Sequence, residues 1–379
     1  MDKNENRNGE YMNVLYYDNY NKSYEEYYKD GKHHRENGPA RVWYFPDGEI
    51  ICEEYYLYGE LHRTDGPAKI LYYGNGKIEY EEYYKEGVLH REDGPARIEY
   101  WKNGNKRLEA YYIEGKPHRE DGPVQTSYYE MLSDHKQDER YLIRNSNGEI
   151  IDDITIAYYS DGNVKCESHF KGDHHHREDG PAITHYYENG NKKYDEYIIE
   201  GKLHREDGPV RIWYNEDGSK DYEEYFKNGK RHRIDGPTVT RYYENGNKQY
   251  EVYYINGRQH RKNGPAHVQY YKNGNIEYVT YFKCGLYHRE DGPARIWYRE
   301  DGSKKYDKYF IEDKLHREDG PAVIWYREDG SKELEEYYKD GELHREDCPS
   351  IIKYREDGSI KYEAYYKNGE LYKEIYFNK

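Results

Sequence analysis

The sequence predicts an all-β protein, an elongated, single-layer antiparallel β-hairpin repeat array of about 13 repeats, ribbon-like rather than globular. Three observations carry this expectation. A His-Arg pair begins at His34, His62, His90 and His118, and again at His176, His204, His232, His260, His288, His316 and His344, with steps of 28 residues throughout except one. Each period holds two short alternating runs, typically separated by Asp-Gly or Asn-Gly signals. The apolar surface is mostly phenolic: there are 53 Tyr against 6 Phe, while Leu, Ile, Val and Phe together number 56 of 379 residues. A globular chain so poor in aliphatic residues would read as disordered. A ribbon one sheet thick needs only a packed stripe, which phenols supply by burying a ring and hydrating a hydroxyl.

With the histidine as place zero, one period reads H-R-E-D-G-P-A-R-I-W-Y-R-E-D-G-S-K-x-Y-E-E-Y-Y-K-D-G-K-L. The first run, as in ARIWY at residues 294–298, ends at Asp301-Gly302; the second, as in YEEYF at 222–226, ends at Asn228-Gly229. Both signals are read as type I′ hairpin turns, whose two central residues take positive φ. Eleven of the 13 prolines stand at place five, where a residue unable to donate to a ladder marks a kink, bulge or strand start. Two strands per period give about 26 strands and, at about 4.8 Å each, a length of roughly 120 Å.

The exceptional step, from His118 to His176, is 58 residues, two periods plus two. It conceals a degenerate copy whose histidine place falls at Gly148, with the insertion inside residues 131–140. Extended outward, the same ruler reaches Asn6 and Tyr372, so residues 1–379 read as a single array with no room for an independent catalytic domain. Regular repeats fill 6–130, the degenerate repeat 131–175, and regular repeats with a C-terminal cap 176–379.

Comparing copies separates fixed places from free ones. Place ten is Tyr throughout, as at Tyr44, Tyr214 and Tyr298; place 19 is acidic except at Val279; place 21 is Tyr except at His169. If the turns centre on the Asn/Asp-Gly pairs, places six, eight, ten, 19 and 21 share a structural face, and places seven, nine, 11, 18, 20 and 22 share a variable one. The same register makes a structural ladder in which Tyr225 faces His232, with His204 and His288 in equivalent positions, and sets Glu224 between Arg211 and Arg233. The pattern breaks where Lys308 falls between Arg295 and Arg317.

Several function classes are disfavoured. The formal net charge of −16 argues against nucleic acid and makes anionic membrane lipid a poor default partner. No apolar run approaches a membrane span, and MDKNENRNGE has no signal-peptide core, so the expectation is an intracellular, cytoplasmic protein. The cysteines Cys52, Cys166, Cys284 and Cys348 form neither a disulfide framework nor a zinc motif. Eleven near-copies of H-R-E-D are not eleven active sites, and no nucleophile elbow, phosphate loop or H-E-x-x-H helix is present, so a non-enzyme without cofactor or catalytic residues is expected. Asp173-His174-His175-His176 could supply metal ligands, but neighbours on a strand point to opposite faces, and no metal is assigned.

Trp43, Trp213, Trp297 and Trp325 stand at place nine and Trp101 at place 11, so all five are expected on the variable face as a candidate interaction surface. The alternative is that each packs over its cross-strand neighbour at place 18, as Trp213 would over Tyr222.

KNGKRH at residues 227–232 after YEEYF, and YFPDGE at 44–49, resemble the core of the MORN repeat. The resemblance runs through essentially all periods in its aromatic, N-G-K and His places. Two features depart from it: the period is longer than the family's, with the surplus in R-E-D-G-P, and the family's central Gly is replaced by Glu54, Ala110, Glu224 or Val252 at place 20. Similar Tyr-rich arrays occur in giant DNA viruses of amoebae, which would place the protein in host cytoplasm, and related variants occur in bacterial antitoxin-like proteins. The resemblance implies a β-hairpin array used for protein contacts, self-association or scaffolding, with membrane lipid as a further possibility. The leading expectation is a non-catalytic protein-interaction scaffold. The alternatives are a phosphoinositide-associated protein, or a carbohydrate-binding surface built on the Trp stripe.

Overall fold

The computed structural model describes residues 9–132 and 134–378; the start of the first repeat at Asn6 lies outside them. Every regular element among the described residues is a strand, so no helix is long and apolar enough to cross a membrane. The chain divides into two compact units, Met1–His175 with Glu188–Gly190, and His176–Tyr187 with Asn191–Lys379. Both are built from antiparallel hairpins repeated in chain order, as the 28-residue period predicts.

One cell of the second unit shows why these residues fold this way. Strand Arg211–Tyr214 pairs with Lys220–Glu224, matching Arg211 with Glu224, Ile212 with Glu223 and Trp213 with Tyr222. Place eight and place 19 thus share the fixed face, and Val210, Ile212 and Glu223 are buried on it. The second strand then stops at Tyr225, whose N–H donates to the Thr238 carbonyl of the next cell. Beyond this break, Phe226–Lys227 and Lys230–Arg231 form a separate two-residue hairpin. A regular period therefore holds four strand segments, where the sequence suggested two. Successive short hairpins are tied by Arg233 N–H to Tyr254 O at 3.2 Å and Gly257 N–H to Arg231 O at 2.9 Å.

The two turns differ in kind, which corrects the expectation of two type I′ turns. At the short hairpin Asn228 and Gly229 both take positive φ, 52° and 71°, as type I′ requires. At the long hairpin only Gly218 does (86°), with Gly218 N–H bonded to Asn215 O at 2.9 Å and Asn215 N–H to Ser219 O at 2.8 Å. This is a type I turn closed by a bulged glycine, and the register slips between Trp213 and Tyr214 to accommodate the extra residue. Asp217 has no need of positive φ there, and its carboxylate accepts the Ser219 N–H at 2.8 Å.

The degenerate stretch has no short hairpin after Tyr141, and one returns only where His174–His175 pairs with Phe170–Lys171. Lys136–Arg144, Ile150–Tyr158 and Val164–Lys171 run as a plain meander, with Asp138 to Arg144 paired to Ala157 to Ile150. At the other end of the sequence, Glu370–Tyr376 pairs along Ile360–Lys367.

Candidate interaction surface

The fixed face carries a buried polar lattice. In most cells the place-ten tyrosine donates to the place-19 carboxylate of the preceding cell: Tyr44 to Glu25 at 2.7 Å, Tyr214 to Asp195 at 3.3 Å, Tyr270 to Glu251 at 2.7 Å. A place-16 lysine on the carboxylate's own strand completes the group, as in Lys22–Glu25 at 2.7 Å and Lys192–Asp195 at 2.9 Å. Burial alone would push Glu25 upward, but the bonds from Lys22 and Tyr44 outweigh it and hold the carboxyl below its ordinary range. Burial and then Asp195 push the Tyr214 phenol up to about 12. Tyr298 lacks this partner, because Val279 stands where the carboxylate would be; Val279 instead packs with Val268, Ile296, Tyr270, Tyr281 and Tyr298.

The H-R-E-D-G-P connection is a structural staple. Arg233 lies over the Tyr225 ring at 4.0 Å, its Nε donates to Asp235 at 3.0 Å, and its Nη1 donates to the Pro237 carbonyl at 3.3 Å. A Cβ on Gly236 would meet the Arg233 Cζ at 2.8 Å, which explains the glycine. Arg205 over Tyr197 and Arg289 over Tyr281 repeat the arrangement at 3.9 and 4.0 Å. The histidines follow the expected backbone register, with His232 N–H on Tyr225 O at 3.3 Å and His204 N–H on Tyr197 O at 3.1 Å. The imidazoles serve the next cell: His232 Nδ1 accepts the N–H of Asn256 at 3.2 Å, and His288 Nδ1 that of Glu312 at 3.4 Å, both at left-handed turn residues. The expected Glu224–Arg233 contact is corrected, because the chain has left the main sheet at Tyr225; Arg231 Nε reaches Glu224 instead.

On the variable face of the second unit the place-nine and place-18 side chains form rows of rings. His185, Tyr194, Trp213 and Tyr222 follow one another at centroid distances of 4.4, 6.1 and 5.0 Å. A second row runs from Tyr250 through His267, Tyr278, Trp297 and Tyr306 to Trp325. Trp297 is nearly parallel to both neighbours, at 9° to Tyr278 and 16° to Tyr306. Its ring faces are therefore occupied by tyrosines, the cross-strand packing weighed in the sequence, and all four place-nine indoles are half-buried. In the first unit Trp43 packs on Tyr24 at 5.2 Å with Arg41 over its ring. Trp101 lies apart from this row: its Nε1 donates to the Tyr128 carbonyl at 3.4 Å, the link that Tyr73 and Tyr243 make elsewhere from place 11. The histidine members of the rows escaped sequence reasoning because only their ring character, at places seven and nine, marks them.

Two cells match the MORN repeat variant. The matched residues, 238–256 and 352–368, run from the start of the first strand to the type I′ turn of a cell, leaving the H-R-E-D-G-P connection outside. No curated protein sequence matches the chain. Among solved structures the chain is similar to TcdB2-TccC3 (11% identity, 95% of this chain and 23% of that chain, TM-score 0.18). It is also similar to TcdB2-TccC3-Cdc42 (12%, 96% and 23%, TM-score 0.18) and to the Photorhabdus luminescens Tc holotoxin pore (12%, 96% and 18%, TM-score 0.17). The chain thus spans less than a quarter of those chains, and agreement this low carries no argument.

The MORN-like cell also accounts for the candidate ligands. Among the described residues no group of His, Cys, Asp and Glu is placed to hold a metal ion. His175 stacks on Phe170 at 4.3 Å, while His176 Nδ1 accepts the Glu200 N–H. None of the four cysteines is in a disulfide. In the degenerate cell His169 takes the tyrosine place and lies between Asp152 at 3.0 Å and Glu167 at 2.7 Å.

Proposed function

We propose that the protein is a non-catalytic interaction scaffold whose variable face binds other proteins. The observation that carries this reading is the row of rings from Tyr250 to Trp325, whose members vary between cells while the fixed face repeats the same lattice. Half-buried Trp and Tyr held rigid by their neighbours lose little side-chain freedom on docking, which is why such residues anchor interfaces. MORN-type cells, which two segments match, are generally interaction motifs. The stacking favours a protein over a sugar chain, because a sugar ring needs a free aromatic face and both faces of Trp297 are taken.

The test is affinity purification from the native cell with the intact protein and with a Trp213→Ala/Trp297→Ala/Trp325→Ala variant. A protein retained by the former and lost by the latter supports the reading, provided the variant keeps its β circular dichroism. Retention of the same proteins by both would overturn it. Binding of the intact protein only to phosphoinositide vesicles would replace it with the lipid reading.

A further inference from the structure

We propose that Arg295 and Lys308 form a binding site for a carboxylate side chain of an acidic protein segment that lies along the ring row beside Trp297. The inference rests on the interaction reading above and deepens it by naming the chemistry of the partner.

Places seven and 20 form one row on the variable face, and place seven is Arg or Lys in five cells, four of which meet a place-20 carboxylate. Arg41 lies between Glu26 at 3.3 Å and Glu54 at 3.2 Å, Lys69 reaches Glu54 at 3.2 Å, Arg97 reaches Glu82 at 2.9 Å, and Arg211 reaches Glu196 at 2.7 Å. At Arg295 the residue directly opposite is Lys308, and the partner on the other side is Thr280. Directly opposed side chains have Cβ atoms about 5 Å apart, and like charges so placed repel. Lys308 in turn meets Val323.

Arg295 lies over the Tyr278 and Trp297 rings and Lys308 over the Tyr306 ring, and the charge of Glu336 acts on Lys308 only from beyond ion-pair distance. Among the described residues Arg295 and Lys308 make no side-chain hydrogen bond or ion pair, and the Arg295 Nε and Trp297 Nε1 are closed to solvent without a partner. Burial, and then Arg295, holds the Lys308 ammonium below its ordinary range. The remaining groups along the row are His267, beyond Thr280, and Glu336, beyond Val323. Burial raises the Glu336 carboxyl, and that residue takes a bond from Tyr338. Lys305 adds a third cation, 5.8 Å from the Trp297 ring, and it too lacks an ion pair among the described residues.

Three cations grouped around stacked rings, in a chain whose net charge is −16, are a local reversal of sign. A carboxylate beside Arg295 and Lys308 would restore the alternation that the cells of Arg41, Lys69, Arg97 and Arg211 build internally, and charge-assisted bonds of this kind are the stronger ones. The adjacent Tyr278, Trp297 and Tyr306 edges favour a peptide, which brings apolar side chains with its carboxylate, over a bare anion. At physiological salt the screening length is about 8 Å, so this cluster rather than the net charge governs close contact.

The test uses the intact protein with 15N-labelled tryptophan, reading the indole N–H signal of Trp297, assigned with Trp297→Phe. The probe is an acetylated, amidated peptide of alternating Glu and Leu, with a Gln-for-Glu peptide and inorganic phosphate as comparison arms. The expected result is a saturable shift of the Trp297 signal with the Glu peptide alone. Lys308→Glu, which supplies the chain's own carboxylate as at Arg211 and Glu224, should weaken binding at least tenfold and raise the melting temperature. Lys339→Glu, the same charge change at an exposed residue of a short hairpin, should leave binding intact. No saturable shift, equal binding by Lys308→Glu, or a response to phosphate without one to the Glu peptide would each overturn the proposal. Partner loss in the Trp variant would persist in that case if only this inference, and not the scaffold reading, were wrong.

Discussion

Replacing Lys248 by Ile and Glu251 by Val, singly and together, asks what the buried polar lattice is worth, and the chain already contains the double replacement one cell further on. Lys248 and Tyr270 both bind the Glu251 carboxylate, whose side chain is 8% exposed, whereas the lysine is 49% exposed. The next cell has Ile276 and Val279 at these places, with Val279 packed in an apolar cluster. Removing one partner of a buried ion pair costs about 3–5 kcal/mol, while exchanging both for apolar residues is close to neutral. Lys248→Ile leaves the carboxylate with Tyr270 and some access to water, so a cost below that range, about 2 kcal/mol, is expected. Glu251→Val frees an ammonium that is already half solvated and strands only the Tyr270 phenol, at about 1 kcal/mol. The double variant should lie within about 1 kcal/mol of the parent, so the cycle should show a coupling of about 2 kcal/mol. Repeat arrays need not unfold in two states, so the readout is native-state hydrogen exchange of the amides in Lys248–Val252 and its paired strands. A double variant as costly as the sum of the singles would refute the reasoning. The reverse pair tests it again: Val279→Glu alone should destabilise, and adding Ile276→Lys should recover most of the loss by giving the introduced carboxylate its cation.

Burial, and then Arg295, pull the His267 imidazole down from 6.5 to about 4. A histidine depressed in the fold contributes stability fully above its unfolded pKa and loses it as pH falls, so the second unit should weaken between about pH 6.5 and 4. The full shift corresponds to about 3 kcal/mol, and partial exposure reduces the expectation to about 2; a His267→Gln variant with an unchanged acid profile would count against it. At the staple, Cys348 occupies the glycine place, and the neighbouring Asp347 is forced to a φ of 55° while Arg345 keeps its stack on Tyr337. Cys348→Gly should therefore stabilise the last staple by about 1 kcal/mol, measured as slower exchange near residue 350. Gly208→Ala should do the opposite, since its Cβ would lie 2.7 Å from the Arg205 guanidinium carbon; retained Arg205–Tyr197 stacking without loss of stability would contradict the account.

The repeated part of the fold was legible because its signals are local. The Asn-Gly of the short hairpin demands positive φ at both residues, and the alternation at places six, eight and ten can bury only one face. The break at Tyr225 was not legible, since nothing in YEEYF distinguishes a strand that stays in its sheet from one that bends out of it. The long turn was misread for a related reason. Asp-Gly fits both a type I′ turn and a type I turn with a bulged glycine, and the choice lies in the number of residues the flanking strands leave unpaired. That one-residue slip after Trp213 then decides which side chains share a row.

The site was legible only as departures from the repeat. His34, Arg35, Asp65 and their equivalents recur because every cell must staple itself to the next, so their number says nothing about ligands. The informative residues are those that break the pattern without repairing it within the same cell. Ile276 and Val279 change together and leave no charge stranded, which marks them as packing. Lys308 is not repaired: with Thr280 on the other side, it stands where Glu54, Glu82 or Glu224 would face the cation, and Arg295 is left without a counter-ion among the described residues. An array under structural selection alone has no reason to keep an uncompensated like-charge pair, because a single exchange to Glu relieves it. The cost of that pair is what a carboxylate brought by a partner would remove, and Lys308→Glu distinguishes that explanation from indifference.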